Sequence, residues 1–440
     1  MSGIKTFPKG GLHPPGRKAL CSSVEIKNAV IPPVLTVPLQ QHLGKPALPL
    51  VEPGMEVREG MLIGRADGFI SANVHSPVPG RVKSLKAVFL PNGLQTQAVE
   101  IEFFGEFDRS GRRTEGRKWE DLGAEELLKI VEDQGIVGMG GATFPAHAKF
   151  KVPQGTRIEY LVINGVECEP YLCSDHRLML EKPREIIRGI RILRTIIQPE
   201  KIAIGVELNK ADAIEALRKA AEAEGLPLAV VPLKVKYPQG DEKQLLKAVT
   251  RREVPSGALP SAIGAVVSNV GTVFAVYEAV ALDKPLIERV VTVSGGAIAA
   301  PANLKVRIGT PIRSLIEECG GFREPPVKLV AGGPMMGFTF YDPETPVTKG
   351  TSGILALTKQ EAAAAPRTFC LQCGKCIAVC PMGLNPTGLF KLIDHSGYAR
   401  AVEGGLLDCK ECGACAFACP AHIPLVQGFK LGKLMSRKEL

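Results

Sequence analysis

Cys370–Pro381 reads CLQCGKCIAVCP and Cys409–Pro420 reads CKECGACAFACP, so the spacing C-x-x-C-x-x-C-x-x-x-C-P occurs twice. In such a double run three thiolates hold one iron–sulfur cluster and the fourth crosses to the other. Cys370, Cys373, Cys376 and Cys419 then form one ligand set, and Cys409, Cys412, Cys415 and Cys380 the other, for two [4Fe–4S] clusters. Gly374 and Gly413 let the backbone approach the sulfides, and Pro381 and Pro420 end the turn.

Other uses of cysteine fit this spacing less well. Zinc takes thiolates in separated C-x-x-C pairs, and disulfides belong to oxidising compartments and usually to shorter chains. The 28 residues between the runs carry Leu389, Phe390, Leu392 and Ile393 at helical spacing. That is room for two helices, so the module is expected to be the α-helical ferredoxin type rather than the compact β type. A pair of clusters moves single electrons, which raises the question of what supplies them.

The 440 residues suit roughly three or four domains, and 22% charged with 45% apolar residues is ordinary for a globular protein. Twelve cysteines, eight of them in the runs, indicate a reducing cytoplasm, with Cys21, Cys168, Cys173 and Cys319 as buried thiols. The opening MSGIKTFPKGGLHPPGRKAL has no apolar core of signal-peptide length, so export is not expected. Leu259–Leu282 holds a single charge, Glu278, in 24 residues. Pro260, Ser261, Ser268, Asn269 and Thr272 weaken it as a membrane span and favour a buried strand–loop–helix. A net charge of +9 is a mild bias, compatible with an acidic partner or an anionic membrane face. Basic residues are not interleaved with aromatics, which argues against nucleic acid.

The fold class expected is multidomain α/β and β with an all-α ferredoxin module. Residues 1–104, punctuated by turns at Pro53-Gly54, Glu59-Gly60, Asp67-Gly68 and Pro79-Gly80, resemble the barrel-sandwich fold of biotinyl and lipoyl carrier domains. The turn that would present the carrier lysine reads Ala66-Asp67-Gly68-Phe69, so a structural barrel is expected. Residues 105–118 read as a linker. Residues 119–285 alternate apolar strands with helices, the pattern of a Rossmann-like parallel sheet covered on both faces. Residues 290–357 resemble a β-grasp (SLBB-like) domain, residues 358–368 a second linker, residues 369–425 the cluster module and residues 426–440 a basic tail.

Gly138-Met139-Gly140-Gly141 lacks the Lys-Ser/Thr of a triphosphate loop and follows a helix rather than a strand. The amides of Gly140 and Gly141 can line a phosphate, Phe144 can stack on a flat ring and Lys149 brings a positive charge. GMGGATFPAHAKF, Asn164-Gly165-Val166-Glu167-Cys168-Glu169-Pro170, the Tyr237…Gly240-Asp241-Glu242 element and Ser268-Asn269-Val270-Gly271-Thr272 together resemble the NADH-binding flavoprotein subunit of respiratory complex I. The departures are Met139 for Arg, Thr143 for Gly, Val166 for an acid, and Ser268 and Gly271 for Asn and Glu.

The whole order of modules, with FPKGGLHPPGRK and GFISANVHSPVPG in the first, resembles the C-subunit family of the Rnf complex, the membrane-bound ferredoxin:NAD oxidoreductase. That resemblance implies a peripheral subunit on the cytoplasmic side of the bacterial membrane, working with membrane and ferredoxin-like subunits. It implies flavin mononucleotide and NAD(H) held by Gly138, Gly140, Gly141, Phe144, Lys149, Asn164, Glu167, Glu169, Tyr237, Asp241, Glu242, Asn269 and Thr272, with no side chain acting as catalytic acid or base. A cobalamin reductase shares the last three modules and is the alternative. A relay with clusters and no flavin is another.

Overall fold

A computed structural model describes residues 3–107, 117–153, 155–362 and 366–439. Its centre is a four-stranded parallel sheet in the order Ala229–Leu233, Lys201–Glu207, Tyr160–Asn164, Ala265–Asn269. Side chains alternate across it. Leu161, Ile163, Ile204 and Val266 face helices Ala124–Asp133, Pro183–Ile197, Ala211–Ala223 and Val270–Leu282. Val162, Ala203, Ala265 and Val267 face helix Glu242–Thr250 instead. Both faces are therefore dry, which is why the strands read as unbroken apolar runs. Leu259–Leu282 resolves into a short helical turn, a strand and a helix, and no helix among the described residues is long and apolar enough to cross a membrane.

Strands Val34–Pro38, Gln95–Phe103, Gly80–Phe89 and Glu56–Val57 form one antiparallel sheet of the first domain, and Leu48–Pro49, Leu62–Arg65 and Val74–His75 the other. The Ala66–Phe69 turn docks on the flavin-like domain: His147 Nε2 lies 3.0 Å from the Phe69 carbonyl oxygen, and the two rings meet edge to face at 5.7 Å. Lys349 stitches the same junction, donating to the carbonyls of Asn73 and Gly135 at 2.7 Å each, and burial pulls its pKa down to about 7.

Residues 3–28, expected as part of the barrel, stay outside its two sheets. They form a strap that bridges Leu233 at Lys5 and Tyr237 at Leu12. The strap then adds strand Ile26–Asn28, parallel to Ala302–Arg307, to the edge of the third domain's sheet. That six-stranded sheet packs on helix Ile312–Glu318. At the boundary near Pro285, Lys284 pairs with Glu278 and Glu288, while Arg307 reaches Glu288 and Glu59, so one buried ion network ties three domains. Despite burial, those cations hold Glu288 down to about 2.

Of the first expected linker, residues 108–116 lie outside the described residues, and Arg117 beyond them pairs with Asp283. Residues 363–365 of the second also lie outside. Its Glu361 is anchored, accepting from Gly296 N and the Tyr171 hydroxyl. The last segment corrects the expectation of a tail: Leu425–Glu439 is one helix, with Leu425 and Phe429 in the core of the cluster module. Gly428 and Gly432 let it lie close against Phe390 and Ile393.

Candidate functional site

The two cysteine runs repeat at an offset of 39 residues (409 − 370), and the backbone repeats with them. Gln372 and Glu411, Gly374 and Gly413, and Gly383 and His422 all take positive φ, and helices begin at Pro386 and at Leu425. Cys409, Cys412, Cys415 and Cys380 line one cavity. Cys370, Cys373, Cys376 and Cys419 line a second, more open one of about 700 Å³. Each cavity thus takes three thiols from one run and the fourth from the other. None of the eight is in a disulfide. Among the described residues, no three His, Cys, Asp or Glu converge closely enough to chelate a single ion. Four sulfurs around a larger space fit a cubane cluster. In the first cage burial pushes Cys412 up to about 12 and Cys415 higher still.

In the parallel sheet the chain runs outward from Tyr160–Asn164 in one direction and returns on its other side at Ala265–Asn269. This is a switch point, and in open α/β sheets the crevice beyond the carboxyl ends of such strands holds ligands. Asn164 and Asn269 sit in register at those ends. The Asn164 amide donates to the Gly240 carbonyl at 2.9 Å. Asn269 caps helix Val270–Leu282, accepting from Gly271 N at 2.8 Å and Thr272 N at 3.3 Å.

The glycine loop closes over that helix end. Gly138 N donates to the Phe144 carbonyl at 2.8 Å, Met139 N to the Thr272 hydroxyl at 2.9 Å, and Gly140 lies against Asn269. Gly140, Gly141 and Ala142 are exposed, and Gly141, at φ +127°, faces open space where a Cβ would stand. This is a backbone cradle fit for a phosphate-bearing group. Phe144 is half-buried beside it, and Lys149 pairs with Glu242 at 2.6 Å, both about a third exposed. Asp241 caps helix Glu242–Thr250 through Lys243 N and Gln244 N.

Three of the residues expected to hold cofactor are also engaged by the protein itself. Glu167 caps helix Ser174–Glu181, accepting from Asp175 N at 2.8 Å, His176 N at 3.2 Å and the Ser174 hydroxyl at 3.3 Å. Capping of the following helix is the ordinary alternative for an acid at either Glu167 or Glu169, and Glu167 takes it. Glu169 accepts from Met335 N of the third domain at 3.0 Å, its other oxygen lies 3.4 Å from the Tyr237 hydroxyl oxygen, and burial raises it to about 7. Tyr237 is buried and donates to the Cys412 carbonyl at 2.6 Å. Sequence reading missed Asp175, whose Oδ2 accepts from the Asn269 amide at 2.7 Å and whose pKa burial raises to about 7. Its only signal was an acid in the first turn of a helix.

Four family models match in chain order: the RnfC barrel sandwich hybrid domain over residues 5–106, the Nuo51 FMN-binding domain over 131–278, the SLBB domain over 290–339 and the 4Fe-4S dicluster domain over 369–423. The chain is 44% identical over 400 residues to the C subunit of the proton-translocating ferredoxin:NAD(+) oxidoreductase complex of Clostridium ljungdahlii, covering 91% of this chain and 87% of that one. The chain belongs to the RnfC family. It is also 41% identical to the C subunit of the Na(+)-translocating ferredoxin:NAD(+) oxidoreductase complex of Acetobacterium woodii, covering 97% of this chain and 96% of that one. With the C subunit of the ion-translocating oxidoreductase complex of Rhodobacter capsulatus it shares 43% identity, over 98% of this chain and 83% of that one. Among solved structures, an NAD+-reducing [NiFe]-hydrogenase shares the fold at a TM-score of 0.50 and 17% identity, over 71% of this chain and 61% of that one. The RnfC family therefore combines, in this chain, a barrel sandwich, an FMN-binding domain, an SLBB domain and a dicluster domain.

Proposed function

We propose that this chain is the NAD-side electron-transfer subunit of an ion-translocating ferredoxin:NAD oxidoreductase, attached to the cytoplasmic face of the membrane through its partner subunits. The observation that carries the reading is the coexistence of two four-thiol cages with a glycine loop at a sheet switch point, in a chain of this family. A bound flavin mononucleotide exchanges a hydride with NAD(H) and single electrons with iron–sulfur clusters, which is the chemistry these sites supply when loaded.

The residues contribute holding and positioning. The amides of Gly140 and Gly141 and the side chains of Asn164, Asn269 and Thr272 bound the flavin site, with Phe144 at its edge. Lys149 and Glu242 stand together as a charged pair to which a nicotinamide nucleotide can add. The cage of Cys409, Cys412, Cys415 and Cys380 is turned toward the flavin domain: Cys412 bonds Tyr237, Met382 meets Gln244, and Asp408 accepts from the Ser256 hydroxyl at 2.7 Å. The cage of Cys370, Cys373, Cys376 and Cys419 opens outward, with Cys373 exposed. Electrons thus have an inner cage beside the nucleotide site and an outer one accessible to a partner. The RnfC-type barrel sandwich over residues 5–106 lies outside the three modules shared with the cobalamin reductase, which favours this reading over that alternative.

Anaerobic purification tests it. About eight irons and one flavin per chain are expected, with NADH bleaching both. A chain with iron but no flavin is a relay only, and one that NADH never reduces is not an NAD oxidoreductase subunit.

A further inference from the structure

The inner cage is assembled from two stretches of chain, and each is gripped by the same small structure outside the cluster module. Tyr237 donates its phenol proton to the carbonyl of Cys412, at 2.6 Å. Its backbone is paired in both directions with Leu12 of the N-terminal strap, Leu12 N to Tyr237 O at 2.9 Å and Tyr237 N to Leu12 O at 2.8 Å. One residue before, Gly11 N donates to the Val379 carbonyl at 2.8 Å, immediately ahead of Cys380. Gly10 packs so closely that a Cβ there would stand 2.4 Å from the Cys380 carbonyl oxygen, and its φ of +60° favours glycine as well. Leu12, Tyr237, Cys412 and Ala414 form a buried cluster of their own, joined at its margin by Cys168 and Val379.

We infer that Tyr237, locked to residues 10–12 of the strap, is a positioning residue that clamps both halves of the inner cage against the flavin domain and aims one hydrogen bond at its ligand loop. The inference rests on the function proposed above. Two physical effects follow. Electron tunnelling weakens exponentially with distance, so a clamp on Val379-Cys380 and Cys412 holds the inner cluster at a fixed separation from the flavin loop. A donor hydrogen-bonded to a ligand's peptide carbonyl also places positive charge beside the cluster, which favours its reduced, more negative state. The outer cage shows the contrast: Cys373, the counterpart of Cys412, is exposed and flanked by Leu371 at 65% exposure.

The test uses the reconstituted holoprotein and Tyr237→Phe, which keeps the ring and removes only the hydroxyl. Wild type and variant are titrated potentiometrically with detection of each cluster by electron paramagnetic resonance, and reduced with NADH in a stopped-flow instrument. The expected result is equal iron and flavin content, a lower midpoint for the inner cluster with the outer one unmoved, and cluster reduction slowed roughly tenfold. Gly10→Ala, which pushes the strap off Cys380, is expected to speed loss of about half the iron to a chelator. Unchanged midpoints and rates in Tyr237→Phe overturn the inference, as does a shift confined to the outer cluster or to flavin reduction, or loss of both clusters together. Wild-type protein without flavin or clusters would sink the proposed function instead, and is read before any variant is made.

Discussion

The two cages share one ligand frame and differ in what surrounds it. Across the 39-residue offset, Val426 in the inner cage stands where Thr387 lines the outer, and buried Phe429 stands where Phe390 is half-buried. Lys433 stands where the first half has Asp394. Lys433 Nζ donates to the Cys409 carbonyl and to Glu411, at 2.7 Å each, whereas Asp394 is exposed and lies 3.9 Å from Arg367. In the outer cage the Thr387 hydroxyl lies 3.0 Å from the Cys376 sulfur. Identical spacing thus yields one enclosed site braced by an ammonium and one open site touched by a hydroxyl. A handful of second-half residues is enough to enclose one site and leave the other open, and potential follows charge, hydrogen bonding and exposure around the sulfurs.

The largest effect should come from removing either cage. Cys412→Ala and Cys373→Ser should each lower iron by about half. Only the first should stop NADH from reducing the cluster that remains, and if Cys373→Ser does so equally, the inner and outer assignments are reversed. Next is packing: Phe429→Ala should destabilise the module by about 3–5 kcal/mol in chemical denaturation, and Phe390→Ala by roughly half as much, since less of that ring is buried. Equal losses would deny that the cages differ in enclosure. Lys433→Met removes a charged, mostly buried donor and should lower the inner cluster's midpoint by the equivalent of ~1.5–3 kcal/mol, leaving the outer cluster unmoved. The smallest shift, ~0.5–1.5 kcal/mol on the outer cluster alone, is expected for Thr387→Val, and Val426→Thr should move the inner cluster the opposite way.

The frame was legible in sequence wherever the information is local. Thiol spacing fixes which cysteines can meet, apolar runs mark a doubly covered parallel sheet, and Pro260, Ser268 and Asn269 separate Leu259–Leu282 from a membrane span. What was illegible depends on distant partners. Ile26–Asn28 has no local mate and pairs with Ala302–Arg307. Phe69 lacks meaning until His147 arrives beside it. Glu167 and Glu169 are two residues apart, yet one caps a helix while the other holds the third domain through Met335, a difference that only the surrounding fold decides. Tyr237, expected from the resemblance among the residues that hold flavin mononucleotide and NAD(H), donates to Cys412 and pairs its backbone with the strap.

The strap also orders events in time. Residues 5–12 leave the ribosome well before Leu233, Tyr237 and Val379, the groups they bond. A domain at the front of a chain usually folds first, but here the front must idle until nearly all the rest has been made. Closing the strap on Tyr237 and Val379 is then a late step, taken only after the cluster module behind them has been made.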